Sequence, residues 1–180
     1  MPHIGVFCSS SNAIDPSFHS IAEALGAGIA GLGYSLVYGG GDVGLMGATA
    51  RAATENGGPV IGVIPHRLES REGLYTLADE LIITDTMSER KQTIYDRSDA
   101  FVVLPGGYGT LEEFMEILTL RNLGYHHHPI VLVNAGGFYD TMLSFFDQLV
   151  EQNFARERAE EVVHIVPTAD SALDVLSALD

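Results

Sequence analysis

Short apolar runs rich in valine and isoleucine recur along the chain, separated by segments whose apolar residues fall at helical spacing. The runs predict strands at His3–Phe7, Ser35–Tyr38, Val60–Ile64, Glu80–Thr84, Ala100–Leu104, Ile130–Val133 and Val162–Val166. They lack a clean polar alternation, as expected of strands covered on both faces. The intervening patterns predict helices over Ser17–Gly31, Leu45–Glu55, Ser88–Arg97, Leu111–Leu120, Tyr139–Asn153 and Ala169–Leu179. Pro65–Asp79 is a longer polar connection with room for a helical turn. Regular alternation of strand and helix predicts an α/β three-layer sandwich with a mainly parallel sheet of about seven strands. No repeat or linker divides the pattern, so residues 1–180 are expected to form a single domain.

Ligands of such folds bind beyond the carboxyl ends of the strands. Three unusual loops follow predicted strands there: Cys8–Asn12, Gly39–Gly47 and Pro105–Thr110. In the second, Gly39, Gly41 and Gly44 fit G-x-G-x-x-G, in which glycines let backbone N–H groups approach a phosphate. A dinucleotide site would add an acidic residue at the end of the next strand, and here that strand runs into Pro65 and His66. No Lys-Ser or Lys-Thr follows the glycines, so the Walker pattern fails as well. A tight turn with close helix–sheet packing would account for this loop equally well.

The third loop carries more information. Pro105-Gly106-Gly107-Tyr108-Gly109 ends an apolar strand, and the spacing predicts a helix opening at Thr110 with Glu112 and Glu113 in its first turn. Thr110-Leu-Glu-Glu113 has the spacing of a capping box, in which Glu113 would only cap its helix. The same position at the positive end of the helix dipole would also keep a carboxylate ionised, ready to stabilise positive charge or activate water.

Composition narrows the partners. The net charge is −15, which argues against nucleic acid or an anionic membrane. No apolar run is long enough for a bilayer and Met1–Ser10 lacks the pattern of a signal peptide, so a cytoplasmic protein is expected. With only 9 Lys plus Arg, cations near a phosphate site must be placed deliberately, and the single lysine, Lys91, stands next to Arg90. Arginine binds phosphate or ribose hydroxyls through its planar fork, and lysine adds a point charge. The only cysteine, Cys8, reads as a small buried residue, and His126-His127-His128 as a surface turn with no metal.

Together these segments resemble the LOG family of cytokinin riboside 5′-monophosphate phosphoribohydrolases, Rossmann-like proteins often mislabelled as lysine decarboxylases. Gly39-Gly-Gly-Asp-Val-Gly-Leu-Met-Gly47 is similar to the family's first glycine motif. Pro105-Gly-Gly-Tyr-Gly-Thr-Leu-Glu-Glu113 fits its P-G-G-x-G-T-x-x-E signature in full, and Met87-Ser-Glu-Arg-Lys91 resembles the segment before it. Cys8-Ser9-Ser10 departs from the family, where glycine often follows the cysteine.

The resemblance implies catalysis by Arg90 and Glu113. It further implies nucleotide contacts from Glu72, Arg90, Lys91, Gly106, Gly107, Tyr108, Gly109, Thr110, Leu111, Glu112 and Thr119. Ser9, Ser10, Gly40, Gly41, Gly44 and Met46 are the phosphate-loop candidates. The implied reaction cleaves the base–ribose bond of a nucleoside 5′-monophosphate without metal or organic cofactor. The same fold and loops occur in molybdenum-cofactor carrier proteins, so a carrier that binds a phosphorylated ligand without turnover is the rival. A pyridoxal-phosphate decarboxylase would need a Schiff-base lysine, and only Lys91 is available. The helix from Leu111 carries Phe114, Met115, Ile117, Leu118 and Leu120, more apolar surface than one buried stripe needs. With the resemblance, this implies a homodimer, with Arg97 or Arg121 near a shared site.

Overall fold

The computed structural model describes residues 1–179. Seven parallel strands form one sheet in the order β4-β3-β2-β1-β5-β6-β7. They are β1 (His3–Phe7), β2 (Ser35–Tyr38), β3 (Val60–Pro65), β4 (Glu80–Thr84), β5 (Ala100–Val103), β6 (Ile130–Val133) and β7 (His164–Val166). The helices are α1 (Pro16–Gly31), α2 (Gly44–Glu55), α3 (His66–Glu72), α4 (Met87–Asp96), α5 (Tyr108–Asn122), α6 (Asp140–Glu151), α7 (Ala159–Val162) and α8 (Ala169–Leu176).

The strands lack polar alternation because their two faces feed two apolar cores. Ile4, Val6, Leu36, Tyr38, Val102 and Val131 pack on one side with α1, α2 and α8. Phe7, Val37, Val63, Phe101, Val103 and Leu132 pack on the other with α4, α5 and α6. The result is the Rossmann-like three-layer arrangement anticipated from the sequence. The outermost strands differ from that expectation: β4 and β7 are partly exposed, as edges covered on one side must be.

Three element boundaries also differ. The connection after β3 folds as a two-turn helix, α3, none of whose residues is buried. Val162 closes α7 rather than opening the last strand. Helix α5 begins at Tyr108, two residues before Thr110, with Gly107 at its N-cap. Thr110 is therefore inside the helix and Glu113 is in its second turn. The capping box read from Thr110 and Glu113 is not formed, and no side chain caps this helix.

Candidate active site

The order in which strands are added reverses at β1, with β2 on one side and β5 on the other. Such a switch point opens a crevice at the carboxyl ends of the strands. The loops after β1, β2 and β5 are the three singled out in the sequence. Ser9 N–H donates to the Pro105 carbonyl at 3.2 Å, fastening the first loop to the third.

The two glycine loops have opposite fates. The first is closed by the protein itself. Gly44 N–H donates to Asn12 Oδ1 (2.8 Å), and Leu45 and Met46 N–H donate to the Ser9 carbonyl (2.9 and 3.4 Å). The N-terminus of α2 is thus satisfied internally, and Gly40, Gly41, Gly44 and Met46 are buried. Gly44 has φ +58, and a Cβ there would stand 2.5 Å from the Ser10 carbonyl carbon. Tyr38 adds a hydroxyl donated to the Gly41 carbonyl at 3.1 Å. Of the phosphate-loop candidates, Ser10 is exposed and Ser9 half-buried.

The second loop is left open. Gly107, Tyr108 and Gly109 are exposed, and a Cβ added at Gly107 or Gly109 would meet nothing within 4 Å. The first N–H groups of an α-helix have no intrahelical partners. With no capping side chain, those of α5 face the crevice mouth, together with the positive end of the helix dipole. Thr110 is buried and packs on Gly106, where a Cβ would come within 2.1 Å of its hydroxyl.

One and a half turns further along α5, about 8 Å at 5.4 Å per turn, Glu113 enters a buried ion cluster. Arg90 is its centre and is 5% exposed. Its Nε donates to the Val63 carbonyl and its Nη2 to the Gly39 carbonyl, both at 3.1 Å. Nη1 lies 4.0 Å from Glu113 Oε1, and Nη2 lies 3.9 Å from Glu72 Oε2. Gly39 is obligatory here, because a Cβ would sit 2.0 Å from Arg90 Nη2. Sequence reasoning missed these two carbonyl acceptors, although Gly39 belongs to the glycine run.

Arg90 is aimed by a capping box that does form, on α4. The Thr86 hydroxyl accepts from Glu89 N–H (3.1 Å), while the Glu89 carboxylate accepts from Thr86 N–H (3.2 Å). Its spacing, Thr86-Met-Ser-Glu89, is the same as that of Thr110–Glu113 and was available in the sequence.

Burial sets the acidity of the cluster. Glu113 is 9% exposed, and desolvation pushes its pKa up to about 7 against the pull of Arg90, with Glu112 and Glu72 adding to the rise. The helix N-terminus was expected to hold this carboxylate ionised; its removal from water outweighs that effect. Burial likewise raises Glu72, with Arg90 and Arg71 opposing. Cys8 adjoins the cluster, and burial followed by the Glu113 charge pushes its thiol pKa well up, so it is an inert residue.

The other sequence candidates fall in different places. Lys91 turns away from Arg90 and bridges Glu112 (2.5 Å) and Glu116 (3.1 Å). Burial pulls its pKa down, but the hydrogen bonds to the two carboxylates outweigh this and the net shift is upward. Leu111 packs against the core formed with α4 and α6. Thr119 is exposed on another face of α5, its hydroxyl donated to the Met115 carbonyl at 2.6 Å. Arg97 pairs with Glu80, and Arg121 donates to the His128 carbonyl at 2.8 Å. The histidine run is not wholly a surface turn: His126 is buried against Tyr95 and Phe101, with Nε2 2.9 Å from the Ile117 carbonyl. No helix among the described residues is long and apolar enough to cross a membrane.

By its parallel sheet and switch-point crevice the protein is a Rossmann-like α/β protein. A family model described as "Possible lysine decarboxylase" matches residues 46–176. The chain is 41% identical over 171 residues to the probable cytokinin riboside 5′-monophosphate phosphoribohydrolase LOGL3 of Oryza sativa subsp. japonica, covering 95% of this chain and 81% of that protein. It is 40% identical over 173 residues to the cytokinin riboside 5′-monophosphate phosphoribohydrolase LOG2 of Arabidopsis thaliana, covering 96% and 81%. Among solved structures, the molybdenum cofactor carrier protein of Chlamydomonas reinhardtii superposes with a TM-score of 0.77 at 25% identity, covering 99% of this chain and 97% of that one. The chain belongs to the LOG family of phosphoribohydrolases.

Proposed function

We propose that the protein hydrolyses the N-glycosidic bond of a nucleoside 5′-monophosphate, AMP or a cytokinin nucleotide, releasing the free base and ribose 5-phosphate. The observation that carries this reading is the buried Glu113–Arg90 pair one and a half turns below the open N-terminus of α5. The N–H groups of Tyr108, Gly109 and Thr110 receive the phosphate, and Glu113 meets C1′. As the C1′–N bond breaks, its electron pair leaves with the base and the ribose becomes positively charged. Ionised Glu113 stabilises that charge and takes a proton from the water whose oxygen bonds to C1′; the departing base gains a proton in return. Arg90 anchors both carboxylates. The test is release of free base from AMP and from isopentenyladenosine monophosphate, compared by kcat/KM.

This role requires Glu113 to be ionised, and its pKa is about 7. The logarithm of kcat/KM should therefore rise with unit slope as pH approaches 7 from below and level off above it. A limb near 4.5, the ordinary carboxylate value, would place the essential group outside the buried cluster.

The likeness to a cofactor carrier favours a second reading, binding without turnover. Base release decides between them, since a carrier releases none. The decarboxylase description finds no support in Lys91. A Schiff-base lysine must be neutral to attack, and two carboxylates hold this one protonated.

We also propose that the active form is a homodimer. Phe114 and Ile117 enter the core, whereas Met115 and Leu118 line an apolar groove with Phe146 and Leu149, flanked by exposed Leu123. A second copy covering this face would bury Thr119, which faces away from Glu113 within its own chain. Leu118→Glu should convert the dimer to monomer in sedimentation equilibrium; a monomeric wild type would sink the proposal.

A further inference from the structure

The peptides just before the open amides of α5 are held from two other loops. Pro105 has no N–H of its own, and its carbonyl accepts from Ser9 N–H at 3.2 Å. Leu104 lies just past the end of β5 and is fully buried. Its carbonyl accepts from the Tyr139 hydroxyl at 2.8 Å. The Gly106 N–H approaches the same hydroxyl oxygen, yet burial dominates and pushes the phenol pKa well up, so the hydroxyl remains a donor. One side chain thus secures the peptides on both sides of Pro105. Tyr139 is 2% exposed and is itself firmly set. Its N–H donates to Asn134 Oδ1 at 2.7 Å, and Asn134 Nδ2 donates to Asp140 Oδ1 at 2.7 Å. Gly136 and Gly137, at φ +59 and +74, make the turn between them. Phe138 packs edge-on against the Tyr139 ring, with centroids 4.8 Å apart. This turn follows β6, outside the three loops that form the crevice.

We propose that Tyr139 is a positioning residue for the cleavage, fixing through the Leu104 carbonyl the angle at which the open start of α5 meets the phosphate. This rests on the phosphoribohydrolase reading. Gly107, Tyr108 and Gly109 are exposed and no side chain caps α5. The placement of their amides is therefore inherited from the buried peptides behind them. The same helix presents those amides to the phosphate and Glu113 to C1′. A shift of its first turn relative to Glu113 moves C1′ out of line, and a misplacement of about 1 Å can cost on the order of 100-fold in rate. Without the Tyr139 hydroxyl, the buried Leu104 carbonyl has no donor. The Pro105–Gly106 turn then moves to find one, and the preorganisation of the amides is lost.

Tyr139→Phe tests this, since it removes the hydroxyl and keeps the ring. Tyr34→Phe is the matched control. The Tyr34 hydroxyl donates to the Leu176 and Leu179 carbonyls (3.4 and 3.2 Å) at the opposite end of the sheet. Cleavage of AMP and isopentenyladenosine monophosphate, inhibition by ribose 5-phosphate, and thermal melting are measured on wild type and both variants. Tyr139→Phe should lower kcat/KM by on the order of 10- to 100-fold and raise the Ki of ribose 5-phosphate by about 10-fold. Tyr34→Phe should leave both near wild type. The pH limb near 7 should stay in place in Tyr139→Phe, because Glu113 remains buried. Asn134→Ala, which frees the Tyr139 N–H, should give the same kinetic change in smaller measure, and it decides alone if Tyr139→Phe does not fold. An unchanged Ki for ribose 5-phosphate would overturn the role of Tyr139 while leaving the hydrolase reading intact. So would an equal effect of Tyr34→Phe, or a limb moved toward 4.5, which marks a general loosening that admits water to the ion cluster. Absence of base release by wild type from either nucleotide would overturn the hydrolase reading itself.

Discussion

Glu113→Gln should lower kcat/KM for base release by on the order of 10³-fold while the protein melts no earlier than wild type. The kinetic loss follows from removing the group proposed as both charge stabiliser and base; each role is worth about 10²- to 10³-fold, and two roles of one group acting as a unit do not multiply in full. The thermal result follows from linkage. Folding raises the Glu113 pKa from 4.5 to about 7, so the native state favours the protonated form. The stability this carboxyl contributes is present below pH 4.5 and is lost as pH rises through 7. At pH 8 the ionised carboxylate therefore costs on the order of 3 kcal/mol, which a neutral amide of equal size does not incur. Steady-state kinetics and melting at pH 8 check both halves. Undiminished activity would reduce Glu113 to a packing residue; a collapse in Tm would make the kinetic loss uninformative and contradict the burial argument.

Arg90→Ala should be the most damaging single change to stability. It leaves Glu72 and Glu113 facing each other without their shared cation, and strips the donors from the Val63 and Gly39 carbonyls. Breaking a buried ion pair by deleting one partner costs about 3–5 kcal/mol, which for a chain of this size lowers Tm by on the order of 10 °C. Without the cation both carboxyls rise further, so the variant's deficit should shrink as pH falls from 8 to 5 and they take up protons. Melting curves at both pH values check this. A Tm within two degrees of wild type at pH 8, or a deficit that grows on acidification, would refute it. Arg90→Lys keeps the charge but loses the fork that reaches two carbonyls at once, and should fall between the two.

Most of the sheet was legible because its strands are buried on both faces, so composition alone marks them: His3–Phe7, Ser35–Tyr38 and Ile130–Val133 fold with the bounds read from the sequence. The start of α5 was not legible. Glycine is a poor helix former, so Gly-Tyr-Gly hides the first turn and makes Thr110 look like a cap. Two segments had capping-box spacing, and only packing decides which one forms. The positions of Arg90 and Glu113 in the motifs were visible, but their distance, their burial and the raised acidity of Glu113 are products of tertiary structure. His126 was misread for a related reason: an irregular connection has no periodicity, so nothing local marks one histidine of three for the interior. Likewise the first glycine loop matched a phosphate pattern, yet the residues that occupy its amides, Ser9 and Asn12, come from another strand's loop.

The carbonyls that grip Arg90 lie 27 and 51 residues away along the chain. Contacts of that separation require large loops to close and form only when β2, β3 and α4 have docked. Until then Glu113 is a solvated carboxylate of ordinary acidity, without a cation beside it or a crevice above it. Hydrolytic competence is consequently a property of the completed fold, and an emerging or partly unfolded chain poses no threat to the nucleotide pool around it.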